Sequence, residues 1–155
     1  MKNYNIKNEE KTLIVEESSV AYENNSYSNF VIQNNYSLVK KAKSGIATKV
    51  FYTFADSINL PEKVVASLLN LSPRTISNYR DAGKNLEAHH SEHLLKLIAL
   101  FEKGKEYLGN IDEFNRWLKV PFWNTEEIPF DFLNTSGGVD LLSACLERMA
   151  QGYPA

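Results

Sequence analysis

Residues 61–80 read PEKVVASLLNLSPRTISNYR. This stretch predicts two short helices joined by a tight turn. The first runs from Pro61 to about Leu69, with proline at its start, where the missing N–H removes no hydrogen bond. Asn70-Leu71 is the turn. Ser72 caps the second helix and Pro73 takes its first position. Val65, Leu68, Leu69, Leu71 and Ile76 supply apolar contacts that hold two short helices at a steep angle, the arrangement of a helix-turn-helix. A plain helical hairpin inside a larger bundle has the same apolar spacing, so the polar side chains carry the functional reading. The second helix projects Arg74, Thr75, Asn78, Tyr79 and Arg80 outward. Side chains of these types contact base edges and phosphates in the DNA major groove.

Charge along the chain agrees with this placement. The net charge is −2, but it is unevenly spread. Residues 1–37 carry −2, residues 38–110 carry +4 and residues 111–155 carry −4. The basic middle contains the paired helices, where phosphate contacts are needed. The acidic end suits a protein partner better than DNA, although a split of this size also arises as ordinary surface variation.

Helical periodicity continues on both sides. Leu38 to Lys43 is basic, and its run of Lys40, Lys41 and Lys43 is either a solvated face or a contact to the DNA backbone. Gly45 marks a break. Ala47 to Ile58 carries Val50, Phe51, Phe54, Ala55 and Ile58 as a core-facing stripe. After Arg80, DAGKNLEAHHS is a turn region. Ser91 is expected to cap a long helix to about Tyr107, with Leu94, Leu97, Ile98 and Phe101 buried and Leu95 and Leu100 at the flanks. Gly109 ends it. Asp112 is expected to cap a short helix over Glu113–Leu118, stopped at Val120-Pro121 because the residue before proline disfavours helix. Pro129 opens a helical turn, and Thr135 caps a last helix to about Ala150 with Val139, Leu142, Leu146 and Met149 on one stripe. Gly152 follows, where a helix end favours a left-handed residue. Residues 1–37 differ from all this: eight of them are Asn. Thr12–Glu17 could form a short strand, and the rest reads as a tail or as an arm that orders on a partner.

Composition excludes several classes. No run of about 18 apolar residues exists, so no transmembrane helix is expected. The opening MKNYNIKNEE lacks the apolar core of a secretory signal. The single cysteine, Cys145, allows no intramolecular disulfide and suits a reducing cytoplasm, and its plain reading is a buried small residue. His89, His90 and His93 lie in HHSEH, but an HExxH zinc motif is not matched. With Ser91 as the cap, His89 and His90 precede the helix. No P-loop, GxGxxG or GxSxG occurs. Gly137-Gly138 reads as a flexible first turn and not as an anion cradle. No enzymatic activity, metal or cofactor is therefore expected.

From about residue 58 to 155, three pieces in order resemble the ParS/MbcA-like Xre-type antitoxin family. They are LPEKVVASLLNLSPRTISNYRDAG, SEHLLKLIALFEKGKEYLGNIDEFNRWLKVP and IPFDFLNTSGGVDLLSACLERMAQGYPA. The second is similar to the family's long helix followed by a short Trp-Leu helix and proline. The third is similar to its ending of Pro, Leu, a Thr cap, Gly and a helix closing in Arg, an apolar residue and Gly. The resemblance implies an all-α protein with a helix-turn-helix core, a C-terminal helical toxin-binding region and no catalytic activity. It implies a dimer that binds operator DNA upstream of its own operon. Its toxin partner is commonly a RES-domain protein that consumes NAD, neutralised when the antitoxin's C-terminal helix and tail cover the active-site cleft. Between Pro121 and Pro129 this chain has FWNTEE where the family often has a Gly-rich turn, so that loop's contacts do not carry over.

The combined expectation is an arm over 1–37, partly flexible, a DNA-binding domain over 38–110 and a toxin-neutralising region over 111–155. Arg74 is the candidate for a bidentate contact to guanine and Asn78 for adenine. Thr75 and Tyr79 suit phosphate or thymine-methyl contacts, with ordinary packing as the plainer role of both. Arg80 and Lys84 suit the DNA backbone. Arg148, Gly152, Tyr153, Pro154 and Ala155 are the candidate toxin contacts. One reading helix covers few base pairs, so a homodimer on an inverted repeat is expected, on a surface the sequence does not reveal. A stand-alone regulator that senses a small ligand, and an adaptor with a degenerate helix-turn-helix, remain the competing readings.

Overall fold

The computed structural model describes residues 35–154. Seven α-helices and one 3-10 turn follow in order, with no strand among the described residues. They are α1 (Asn35–Ser44), α2 (Thr48–Ser57), α3 (Glu62–Leu68), α4 (Pro73–Asp81), α5 (Ala88–Leu108), α6 (Ile111–Trp117), the 3-10 turn Pro129–Phe132 and α7 (Ser136–Ala150). The arm expected over residues 1–37 lies almost wholly outside the described residues, as do the strand at Thr12–Glu17 and Ala155. No described helix is long and apolar enough to cross a membrane.

The long helix α5 is the centre of the fold. It packs against α1 on one side and against α6 and α7 on others. For that reason Leu95 and Leu100 are as buried as Leu94, Leu97, Ile98 and Phe101. The expectation of a single stripe with Leu95 and Leu100 at the flanks was too narrow. A helix covered by neighbours on several sides needs apolar residues around most of its circumference. Phe101 meets Phe54 of α2 and Phe114 of α6 edge to face, with ring centroids 5.4 Å and 5.0 Å away. These aromatic contacts join the helix-turn-helix side of the core to the C-terminal side.

Two helix starts differ from expectation. Helix α5 begins at Ala88, so His89 and His90 lie inside it and Ser91 is not its cap. Ser91 is fully buried and hydrogen-bonded to two loops. Asn110, not Asp112, caps α6, its side chain accepting the Glu113 N–H at 2.9 Å. Asp112 instead sits in the first turn, where a carboxylate meets the positive end of the helix dipole, and it accepts a hydrogen bond from Asn59.

The expected caps at Ser72 and Thr135 are present, accepting the Thr75 and Gly138 N–H groups at 3.0 Å each. Gly138 is not part of a flexible first turn, however. It is buried, and a Cβ there would collide with the Phe132 carbonyl. The α7 start needs glycine so that the 3-10 turn can close against it.

Candidate nucleic-acid interface

The helix-turn-helix is built by α3 and α4 and braced by α2, which packs on both. Helix α3 ends in a paired closure: the Asn70 N–H donates to the Ser67 carbonyl and the Leu71 N–H to the Ala66 carbonyl, each at 3.0 Å. That closure requires a left-handed residue, and Asn70 takes φ +56°. Helix α4 ends the same way, with Gly83 at φ +64° and the Lys84 N–H donating to the Tyr79 carbonyl at 2.8 Å. Ile76 is fully buried and anchors α4 from below. A nine-residue helix is marginal alone in water, so this anchor and the Ser72-Pro73 start hold it in register.

A second clamp ties this unit to the rest of the core. The turn between α1 and α2 pairs with the loop between α4 and α5 through an isolated antiparallel bridge, Ala47 with Asn85. The Leu86 N–H donates to the Ile46 carbonyl at 2.8 Å. Ser91 Oγ accepts the Ile46 N–H at 2.9 Å and donates to the Leu86 carbonyl at 3.1 Å.

The six candidate DNA contacts divide into three groups. Arg74 and Asn78 are exposed one turn apart and make no side-chain hydrogen bond or ion pair among the described residues. Arg80 joins them in one open cleft, together with Tyr52, Glu62, Ser77 and Asp81. Thr75 and Tyr79 lie on another side of α4 and are half-buried. The Thr75 hydroxyl is 2.8 Å from Ser72 Oγ in the cap. Tyr79 packs on the core, and its hydroxyl donates to Glu87 at 3.4 Å. Lys84 is exposed just past the α4 end and carries no ion pair among the described residues.

Reading α4 alone misses Tyr52, whose ring lies beneath the Arg80 guanidinium. Within α4, Arg80 also donates hydrogen bonds to Ser77 and Asp81. The hydrogen bond from Arg80 to Asp81, and then the electrostatic interaction with Tyr52, raise its pKa further above the ordinary arginine value, so it is charged at any working pH. Ser77 was legible as the residue three before Arg80. Tyr52 carried no such signal, because it comes from another helix.

His89, His90 and His93 all lie in the first two turns of α5. His93 is buried, and its Nε2 donates to the Leu133 carbonyl at 2.8 Å. Burial pushes its pKa down, with Lys96 adding to the effect against the Leu133 hydrogen bond. Burial and the neighbouring His89 also lower the pKa of His90, against an opposing effect of the Leu69 backbone. Ligand atoms of Glu87, His89 and His90 lie within 4.8 Å of one another. They stand at the N-cap and first turn of α5, where the helix dipole opposes a cation.

At the other end of the chain, Arg148 is exposed on the last turn of α7, with one guanidinium nitrogen 3.2 Å from Cys145 Sγ. Gly152 has φ +88°, and Tyr153 is 62% exposed. Pro154 borders an apolar groove walled by Trp117, Val120, Phe122, Trp123 and Pro129. In the FWNTEE loop the Thr125 N–H donates to the Phe122 carbonyl at 3.1 Å, and Asn124 takes φ +61°. Asparagine thus fills the left-handed turn position open to glycine. The turn leaves Trp123 81% exposed.

No curated protein matches the chain. The segment that runs from α1 into α5 and contains the whole α3–α4 pair, residues 37–99, matches the family model described as the antitoxin Xre-like helix-turn-helix domain.

Proposed function

We propose that this protein is a DNA-binding antitoxin that represses its own operon and neutralises a toxin encoded beside it. The observation that carries this reading is the outer face of α4: Arg74 and Asn78 stand exposed and without partners among the described residues, in a segment of antitoxin Xre-like type. Arg74 contacts guanine, Asn78 contacts adenine, and Arg80 and Lys84 hold phosphates. Thr75 and Tyr79 act at most through the cap and the packing they already serve. Two copies read an inverted repeat with centres about 34 Å apart.

The toxin partner is a RES-domain, NAD-consuming protein, the pairing implied by the ParS/MbcA-like resemblance. Arg148 and the tail Gly152-Tyr153-Pro154-Ala155 plug its cleft, and the apolar wall with Trp123 supplies a neighbouring anchor. Tryptophan exposed beside a proline-lined groove is the type of side chain that dominates binding energy at interfaces. The antitoxin acts by occlusion and performs no chemistry itself.

Co-expression with the product of the adjacent gene, followed by size-exclusion chromatography, tests the reading. A single co-eluting complex and rescued growth are expected. Separate elution with undiminished toxicity would contradict the neutralising role.

A further inference from the structure

Arg80 is held by three contacts from three residues. Its guanidinium carbon lies 5.4 Å from the centroid of the Tyr52 ring. Its Nε donates to Asp81 Oδ1 and one terminal nitrogen donates to Ser77 Oγ, each at 3.1 Å. Tyr52 is on α2 and is itself braced edge to face by Phe51, with centroids 5.2 Å apart. Phe51 is buried in the core. A long, exposed side chain on the surface of α4 is thus given a fixed place by the helix that braces the helix-turn-helix.

We propose that Tyr52 is a positioning residue that presents Arg80 to a DNA phosphate. The proposal rests on the DNA-binding reading and adds a residue outside α4 to it. A free arginine loses rotamer freedom when it binds, and a guanidinium already resting on a ring loses less. The ring face uses no hydrogen-bond donor, so the N–H groups not taken by Ser77 and Asp81 remain for a phosphate. Ser77 orients the fork. Arg74 and Asn78 share the same cleft, so a phosphate fixed at Arg80 sets the register of the two base-reading side chains.

The experiment is a double-mutant cycle on the full chain, read by fluorescence anisotropy. The probes are a labelled duplex from the region upstream of its own gene and a random duplex of equal length. Tyr52→Phe should bind like the unaltered protein. Tyr52→Leu should weaken binding to both duplexes by about 2- to 5-fold, the range of a surface cation–π contact, and Arg80→Gln, which removes the charge as well, by at least as much. Tyr52→Leu should add nothing in the Arg80→Gln background. Arg80→Gln leaves α2 untouched, so it removes the cation without disturbing the fold. Equal weakening by Tyr52→Leu in both backgrounds would mean general α2–α4 packing and would overturn the proposal, as would no weakening. If the unaltered protein binds neither duplex, the DNA-binding reading fails and takes this proposal with it. If it binds and the cycle shows no coupling, only the role of Tyr52 fails.

Discussion

Ser91 Oγ lies 2.9 Å from the Ile46 backbone nitrogen, across 45 residues of sequence, and both groups are buried. The same hydroxyl donates to the Leu86 carbonyl at 3.1 Å. One side chain therefore satisfies buried backbone groups on two loops and fastens the α1–α2 turn beside the helix-turn-helix. Ser91→Ala should cost about 1–3 kcal/mol, the penalty for leaving buried polar groups unsatisfied. Ser91→Asp should cost more, because it places a carboxylate in the core. At a true helix cap aspartate would serve as well as serine. Urea denaturation of the two variants decides between the roles.

Gly138→Ala tests the contact beneath α7. The added methyl would meet the Phe132 backbone, which cannot rotate away. A loss of about 1–3 kcal/mol is expected from overpacking. Gly137→Ala, with open space around it, should be neutral or stabilising through reduced freedom of the unfolded chain. Thermal melts of the pair should move in opposite directions or differ by several degrees.

Stability should fall in acid through His93. Its folded pKa is lowered by burial, so the unfolded chain binds the proton more readily. This stabilisation is complete above about pH 6.5, the ordinary histidine value, and declines as pH falls through and below it. His90 shifts in the same direction. The urea midpoint should therefore drop between pH 7.5 and pH 5, and His93→Gln should flatten that drop without abolishing it.

The paired helices were legible because their signals are local. Ser72, Pro73, Asn70 and Gly83 each sit where backbone chemistry demands them, and Val65, Leu69 and Ile76 are buried as their spacing requires. The Ser91 and Asp112 errors share one cause. Several residues near a helix start can cap it, and only tertiary packing decides which one does. Asn110 caps α6, and α5 starts after Glu87 with no side-chain cap, which leaves Ser91 to the core. At the interface, exposure of Arg74 and Asn78 followed from helical spacing. The ring under Arg80 depended on a neighbour contributed by α2, and the Tyr79 hydroxyl found Glu87 just before α5.

Lys84 and Arg74 should separate when bound to DNA. Lys84→Ala removes one phosphate contact, so it should weaken all sequences alike and reduce the salt slope by about 1. Arg74→Ala should cost about 1–3 kcal/mol on the preferred site and relax specificity at one base pair. Parallel titrations of a preferred and a scrambled duplex give both quantities.

Removing residues 152–155 takes away the closure of α7, in which the Gly152 and Tyr153 N–H groups donate to the Met149 and Arg148 carbonyls, but leaves α2, α3 and α4 untouched, so it should spare DNA binding and weaken toxin neutralisation. Trp123→Ala should weaken the complex by about 2 kcal/mol or more if the groove is an anchor. Growth rescue and complex retention on size-exclusion chromatography read both effects. Full inhibition by the truncated chain would remove the tail from the plug.

We propose that the outer face of α4 reads DNA. The most direct test is a titration of the purified chain with a duplex from the region upstream of its own gene, at about 50 and 200 mM salt. The expected result is tight binding at low salt, strong loss at high salt, and a preferred site whose advantage shrinks in Arg74→Ala. Absence of binding even at low ionic strength would contradict the account.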